Sequence, residues 1–265
     1  MIHIIDSHVH VTINGKWMDT NKDSSLTKLL SEMKIASVNK AILIAIEGMI
    51  PNDYIYKIYS ENKKIFYPIC SVNPLSTSFK DFMEIVENGN FIGVKIHPRL
   101  HNYSLVDEKV VKFFKKVESI PNFFVLLDCW FSEYDDYSQI EETIKFINSF
   151  SNLKLILAHA GGFHYDSIVP LSVKANIFID LSYTPITLKK FNQEKFNDFF
   201  LELRKVNTSK LIFGSDFPEV SIKRSVDILV QSFDKYGFSK EDQEKIFSKN
   251  IEMLLDNLDS EIKNG

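Results

Sequence analysis

Asp6-Ser7-His8-Val9-His10, at the end of the apolar run Ile2, Ile4 and Ile5, is the stretch on which the reading of this chain turns. Side chains two apart on a strand leave the same face, so His8 and His10 project together, with Asp6 one step behind them. Two neighbouring imidazoles are half of a site for zinc, iron or manganese, and a carboxylate close to ligating histidines commonly fixes a ring's tautomer. Solvated strands carry His-x-His as well, so the pattern needs support from the rest of the chain.

That support comes from seven more short apolar runs that stop at polar residues: 40–46, 65–72, 91–97, 123–129, 154–159, 176–182 and 210–216. Counting the opening run, 2–10, they start at intervals of roughly 22 to 38 residues, the span of a strand, loop, helix and loop. The stretches between them carry helical stripes, such as Leu26, Leu29, Leu30 and Met33, then Phe79, Phe82, Met83 and Val86, then Val226, Leu229, Val230 and Phe233. Eight such units fill a (β/α)8 TIM barrel of about 250 residues. The chain has 265, which leaves room for a C-terminal helical extension; Gly237 stops one helix and the capping-box-like Ser239-Lys240-Glu241-Asp242 starts the next. No Pro- or Gly-rich linker divides it, so residues 1–265 are read as a single domain. A doubly wound open sheet is the competing α/β arrangement, because strand count alone does not establish closure.

A chain that is 45% hydrophobic can bury a large core, and its net charge of −4 comes from interspersed charges of both signs. Neither nucleic acid nor an anionic membrane is favoured by such a surface, and no apolar stretch reaches the roughly 20 residues of a membrane span. Cys70 and Cys129 are far apart, which suits a reducing compartment without disulfides. The chain opens directly into a strand without a signal-peptide pattern. The expectation is a cytoplasmic protein acting on a small-molecule substrate; a homodimer is compatible with this, though no surface stripe specifies one.

A barrel brings the C-terminal ends of its strands to one mouth. In this chain those ends carry His8 and His10, Glu47, Asn73, Lys95 and His97, Asp128, His159, Asp180 and Ser182, and Asp216. The opposite ends show no such collection apart from His3.

On these residues the chain resembles the amidohydrolase superfamily, in particular the amidohydrolase-2 branch that includes aminocarboxymuconate-semialdehyde decarboxylase and related lactonases and decarboxylases. The matching segments are Asp6-Ser-His-Val-His10, Gly93-Val-Lys-Ile-His-Pro98, Leu155-Ile-Leu-Ala-His-Ala-Gly-Gly162, Leu211-Ile-Phe-Gly-Ser-Asp-Phe-Pro218 and the closing Asn250-Ile-Glu-Met-Leu-Leu255. The resemblance implies that His8, His10 and Asp216 hold or adjoin a metal, and that Asp216 can serve as general base. It implies that His159 ligates a second metal or polarises the substrate carbonyl. Where such proteins usually carry a ligating histidine on the fifth strand, this chain has Asp128, a harder ligand that favours manganese or magnesium more than imidazole does.

Lys95 shares a face with Gly93 and His97. A lysine inside a barrel must be paired with a carboxylate such as Asp128 or Glu47, be carbamylated to bridge metals, or hold an anionic substrate. His97 either replaces the fifth-strand histidine as a ligand or fixes local shape before Pro98. Arg99 suits a substrate carboxylate. Trp130 and Phe131 are expected over the mouth, and Cys129 points away from it.

The leading reading is a metal-dependent hydrolase of a small ester, lactone or amide. One divalent ion, zinc or else manganese or magnesium, sits among His8, His10, Asp128 and Asp216; Asp216 and His159 are catalytic, and Lys95, Arg99 and His97 face a carboxylated substrate. A non-oxidative decarboxylase with the same site is the second reading. The third is a barrel that has lost its metal and serves as a binding protein.

Overall fold

The computed structural model describes residues 3–255. Its strands are β1 (Ile5–Val9), β2 (Lys40–Ile44), β3 (Phe66–Ser71), β4 (Gly93–Ile96), β5 (Phe124–Asp128), β6 (Lys154–Ala158), β7 (Ile177–Asp180) and β8 (Leu211–Ile212). The helices are α1 (Leu26–Ala36), α2 (Asn52–Glu61), α3 (Phe79–Gly89), α4 (Glu108–Val117), α5 (Tyr137–Asn148), α6 (Tyr165–Ile168), α7 (Thr184–Phe191), α8 (Gln193–Leu203), α9 (Ile222–Lys235) and α10 (Lys240–Glu244). Every strand pairs in parallel with the next, in the order β1 to β8.

Closure comes from the chain just past β8. Ser7 donates its backbone N–H to Phe213 O (3.0 Å), Asp216 donates to His8 O (2.9 Å), and His10 donates to Phe217 O (2.8 Å). A doubly wound sheet would reverse its strand order and leave both edges open, so the (β/α)8 barrel is the architecture. These same bonds explain why β8 is shorter than the apolar run 210–216. After Ile212 the backbone leaves the ladder with β7 to pair with β1, which carries Asp216 onto the barrel rim.

Alternation along the strands divides the core in two. Ile5, Ile44, Ile69, Leu126, Ile156 and Ile212 point into the lumen, while Leu43, Val94, Ile96, Val125, Leu127 and Leu157 pack outward against the helices. Ile251, Leu254 and Leu255 join the inner cluster, so the segment after α10 plugs the barrel. Asn250 fastens that plug by donating from Nδ2 to Thr208 O (2.8 Å) and Leu211 O (2.7 Å). Each fully buried isoleucine contributes roughly 1.5–3 kcal/mol, which makes the lumen a packed base for whatever stands above it. The Ser239–Asp242 capping box forms as its sequence predicts, and Gly237 takes a left-handed φ of +75° after α9. Among the described residues no helix is long and apolar enough to cross a membrane.

Candidate active site

His8 and His10 reach the rim of the lumen with their tautomers set by different acceptors. His8 donates from Nδ1 to Asp180 Oδ2 (2.6 Å), and His10 donates from Nδ1 to the Ile44 carbonyl (3.3 Å). Each ring therefore keeps its Nε2 lone pair. Burial, reinforced by the charge of Lys95, holds both well below the usual imidazole pKa, so both are neutral. The two Nε2 atoms lie 3.6 and 3.8 Å from one oxygen, Asp216 Oδ1. Asp6, adjacent in sequence, does not orient either ring. Its Oδ1 accepts from the backbone N–H groups of His8 (3.1 Å) and Ser215 (2.9 Å), binding β1 to the β8 turn.

Asp216 and His159 are both non-glycine residues with φ of +63°, a costly conformation that persists only where the surroundings enforce it. For Asp216 the enforcing contact is its N–H to His8 O; for His159 it is Thr184 Oγ1, which donates to the His159 carbonyl. Gly214 permits the approach of the strands: a Cβ there would lie 2.5 Å from Asp180 Oδ1 and 2.9 Å from His8 Cβ. Burial pushes Asp216 up to about 6 against the opposing charges of His159 and Lys95. His159 has Ser182 Oγ at its Nδ1 (3.0 Å) and Asp128 Oδ2 at its Nε2 (3.3 Å). Burial works against a charge on this ring, but Asp128 and Asp216 together outweigh it and raise its pKa.

Asp128 sits among cations and N–H donors. Its Oδ2 lies 3.5 Å from Lys95 Nζ and 3.3 Å from His97 Nε2, and its Oδ1 accepts from Arg99 Nη2 at 3.1 Å. Burial alone would raise its pKa; His97, Lys95 and His159 overcome that and hold it well below the usual carboxylate range. His97 Nδ1 accepts the Leu100 N–H (3.2 Å), which places the ring proton on Nε2, directed at Asp128. The lone pair of His97 is thus already used. Burial, only partly offset by Asp128, lowers its pKa to about 4.

These residues line a pocket of about 260 Å³, walled further by Trp17, Trp130, Tyr183 and Glu219. Glu47 and Asn73, although at strand ends, do not line it; His101 bonds the Glu47 carbonyl and His164 the Ser132 carbonyl, away from the lumen. Phe131 faces a neighbouring pocket. Cys70 and Cys129 are free and buried, and burial pushes both thiols up. The residues that sequence reading gave no role are Asp180, Ser182, Trp17 and Glu219. Asp180 and Ser182 carried a signal as polar ends of an apolar run; Trp17, stacked on His10 with centroids 5.1 Å apart, and Glu219 lie in loops without periodicity.

The donor set fits a divalent metal ion. His8 Nε2 is buried without a hydrogen-bond partner among the described residues, an arrangement that is costly unless something else binds it. An ion about 2.1 Å from each ligand atom keeps neighbouring ligands roughly 3–4 Å apart, and the 3.6 and 3.8 Å separations around Asp216 Oδ1 match that spacing. Among the described residues the trio whose ligand atoms all lie within 4.8 Å of one another is His8, His159 and Asp216, and His10 adjoins it through Asp216 Oδ1.

The amidohydrolase family profile matches residues 5–256. None of the curated proteins matches the sequence. Among solved structures, the chain is similar to a probable 2-pyrone-4,6-dicarboxylic acid hydrolase from Acinetobacter baumannii with citric acid bound, at 18% identity and a TM-score of 0.70 over 96% of this chain and 99% of that one. It is similar to an amidohydrolase from Burkholderia multivorans with bound zinc, at 12% identity and 0.71 over 94% and 97%. It is also similar to a 5-carboxyvanillate decarboxylase from Novosphingobium aromaticivorans with bound manganese, at 12% and 0.70 over 95% and 96%. At these identities the structural likeness speaks for the shared barrel. The profile spans nearly the whole chain and takes in every residue of the rim, and the protein belongs to the amidohydrolase family, as an enzyme of that superfamily.

Proposed function

We propose that the protein hydrolyses a small carboxylated ester, lactone or amide with one divalent metal ion, zinc or manganese, held by His8, His10 and Asp216. The observation that carries this reading is the convergence of two free Nε2 lone pairs on Asp216 Oδ1. His8 and His10 each spend only Nδ1 on the scaffold, whereas both nitrogens of His159 are engaged, by Ser182 and Asp128. For that reason His159 is left free of the metal although its distance permits ligation. Asp128, committed to four cationic or donor groups, is assigned as the counter-charge of the pocket in place of a ligand.

When bound, the ion supplies a Lewis acid and an activated water. Asp216, whose Oδ1 lies beside both histidine Nε2 atoms, is the carboxylate placed to take the water's proton. His159 keeps its proton through Asp128 and, with its Nε2–H turned from Asp128 to the carbonyl oxygen as charge develops there, stabilises that charge and then passes the proton to the leaving group. Lys95 and Asp128 keep the floor of the pocket charged and dry. Arg99, a third exposed at the mouth, offers its fork to the substrate carboxylate. The citrate in the Acinetobacter protein supports a carboxylated ligand.

The test is a panel of carboxylated lactones, esters and amides assayed with protein stripped of metal and reloaded with zinc or manganese. Hydrolysis that chelation abolishes is the expected result; hydrolysis indifferent to complete chelation would overturn it. A decarboxylase is the second reading, favoured by the crowding of Lys95, His97, Arg99 and His159 around one buried carboxylate, a setting suited to a bound acid. Carbon dioxide release from aromatic or unsaturated acids, without hydrolysis in the panel, selects it.

A further inference from the structure

Between the end of β7 and the start of α7, every second residue touches a histidine of the pocket. Asp180 Oδ2 holds His8 Nδ1 (2.6 Å), Ser182 Oγ lies 3.0 Å from His159 Nδ1, and Thr184 Oγ1 donates to the His159 carbonyl. The segment is bent sharply to present them. Thr184 N–H bonds back to the Ser182 carbonyl (2.6 Å) across Tyr183, whose φ of +61° and ψ of −46° make the rare, strained form of the γ-turn. Strain of this kind collects at functional sites and persists only where the surroundings enforce it. Ser182 itself is fully buried, and its N–H donates to Asp180 Oδ1 (2.7 Å), which fixes the place of its hydroxyl.

That hydroxyl stands between two imidazoles, 3.3 Å from His8 Nδ1 and 3.0 Å from His159 Nδ1. His8 already directs its Nδ1 proton at Asp180 over the shorter distance, so its tautomer is set without Ser182. His159 depends on Ser182 more. Its Nε2 faces Asp128 Oδ2 at 3.3 Å and gives up that contact when it turns to the substrate carbonyl. Among the described residues Ser182 is then the hydrogen-bond partner that remains to the ring. Trp130 and Tyr183 meet the ring in T-shaped contacts, with centroids 6.3 and 6.2 Å away, and these limit its space without setting which nitrogen points where. A hydroxyl suits the position because it both donates and accepts, and so serves Nδ1 with or without a proton.

We infer that Ser182 is a positioning residue for the proposed reaction: its hydroxyl holds Nδ1 of His159 as the pivot of the ring, so that Nε2 turns between Asp128 and the substrate carbonyl. The inference rests on the role given to His159 above.

It is tested on the full chain, metal-free and labelled with 13C and 15N in its histidines, by relaxation of the ring carbons; His159 is identified by the signals that disappear in His159→Gln. The expected result is a His159 ring as rigid as the backbone in the wild type and in Ser182→Thr, with an order parameter of about 0.85, falling below about 0.6 in Ser182→Ala. His8, held by Asp180, is expected to stay rigid in all three. A rigid His159 in Ser182→Ala would overturn the inference, and loss of order in both variants would do the same by assigning the effect to side-chain volume. A mobile His8 in Ser182→Ala, with the roughly 10–100-fold loss of zinc affinity that follows from freeing a ligating histidine, would assign the hydroxyl to His8 and overturn it as well. On any substrate the hydrolysis panel yields, Ser182→Ala is expected to lower kcat by about 100-fold with KM within about twofold, and Ser182→Thr to recover most of the loss. An unchanged kcat with a mobile ring would overturn the positioning role. No hydrolysis in the panel, with ring order still following the hydroxyl, would remove the proposed reaction and leave the hold of Ser182 on His159 standing.

Discussion

Asp180 Oδ2 lies 2.6 Å from Nδ1 of His8 and thereby decides which nitrogen of that ring faces the metal position. Asp180→Asn presents an amide that can donate to Nδ1 and so favours the tautomer with the proton on Nε2. A group that orients a ligating histidine is typically worth about 10–100-fold in metal affinity. Calorimetric titration with zinc is expected to show a loss of that size with the far-ultraviolet spectrum unchanged. Wild-type affinity in the variant would remove Asp180 from this role.

Asp216 links metal affinity to pH. Its pKa is pushed up to about 6, while burial keeps His8 and His10 neutral at that pH. A metal bound by these three therefore displaces a proton from Asp216 below about pH 6 and from none of them above it. The dissociation constant is expected to be flat above about pH 6 and to rise about tenfold per pH unit below it. Calorimetry in buffers of different ionisation enthalpy counts the protons released. His159, whose pKa is raised, would release a further proton from above pH 6.5 if it were a ligand, so a dependence extending into that range would overturn the three-residue set.

The barrel was legible because each strand announces itself twice, by an apolar β-branched run and by a polar residue at its end. All eight runs contain the observed strands, and the strand ends His8, His10, Lys95, Asp128, His159 and Asp216 line one pocket. Two features were beyond periodicity. The shortness of β8 depends on backbone bonds to β1, a partner some 200 residues away, and no local propensity encodes that closure. The identity of the orienting carboxylate was equally hidden: Asp6 is two residues from His8, but barrel closure turns it toward Ser215 N and brings Asp180 to the ring instead. Asp128 was legible as a polar strand end, but its four partners come from β4, the chain after β4 and the residue that follows β6, and only their assembly shows how many claims its two oxygens must satisfy.

Lys95 and Asp128 test the counter-charge assignment. Their side chains are 2% and 4% exposed, with Nζ and Oδ2 3.5 Å apart. Removing one member of a buried ion pair leaves the other charge unpaired at a cost of about 3–5 kcal/mol. Asp128→Ala strands Lys95 beside the other positive groups and is expected to fall in that range. Lys95→Met leaves Asp128 with His97, Arg99 and His159, so it is expected to cost less. The double variant is expected to be more stable than the sum of the two losses predicts, by on the order of 1 kcal/mol or more. Urea denaturation of all four proteins closes the cycle; strict additivity would show that the two charges are held by other partners.

Trp17 ties the loop after β1 to the turn after β8. Its ring stacks on His10 at 5.1 Å, its Nε1 donates to Glu219 Oε1 at 2.5 Å, and Lys22 clasps the same carboxylate. Glu219 N in turn bonds to Asp216 O at 2.7 Å, so the indole couples the supports of two proposed ligands. An aromatic stack of this kind is worth about 0.5–1.5 kcal/mol, roughly a 2- to 10-fold effect on affinity. Trp17→Ala loses both the stack and the tie, and is expected to weaken metal binding by the upper part of that range. Trp17→Phe retains a ring over His10 and loses only the bond to Glu219, so its affinity is expected to fall between those of the wild type and the alanine variant. Glu219→Gln preserves an acceptor for Nε1 and is expected to stay close to the wild type. If Trp17→Phe binds metal as poorly as Trp17→Ala while Glu219→Gln is unaffected, the stack on His10 has no part in holding the ligand, and the indole serves the loop alone.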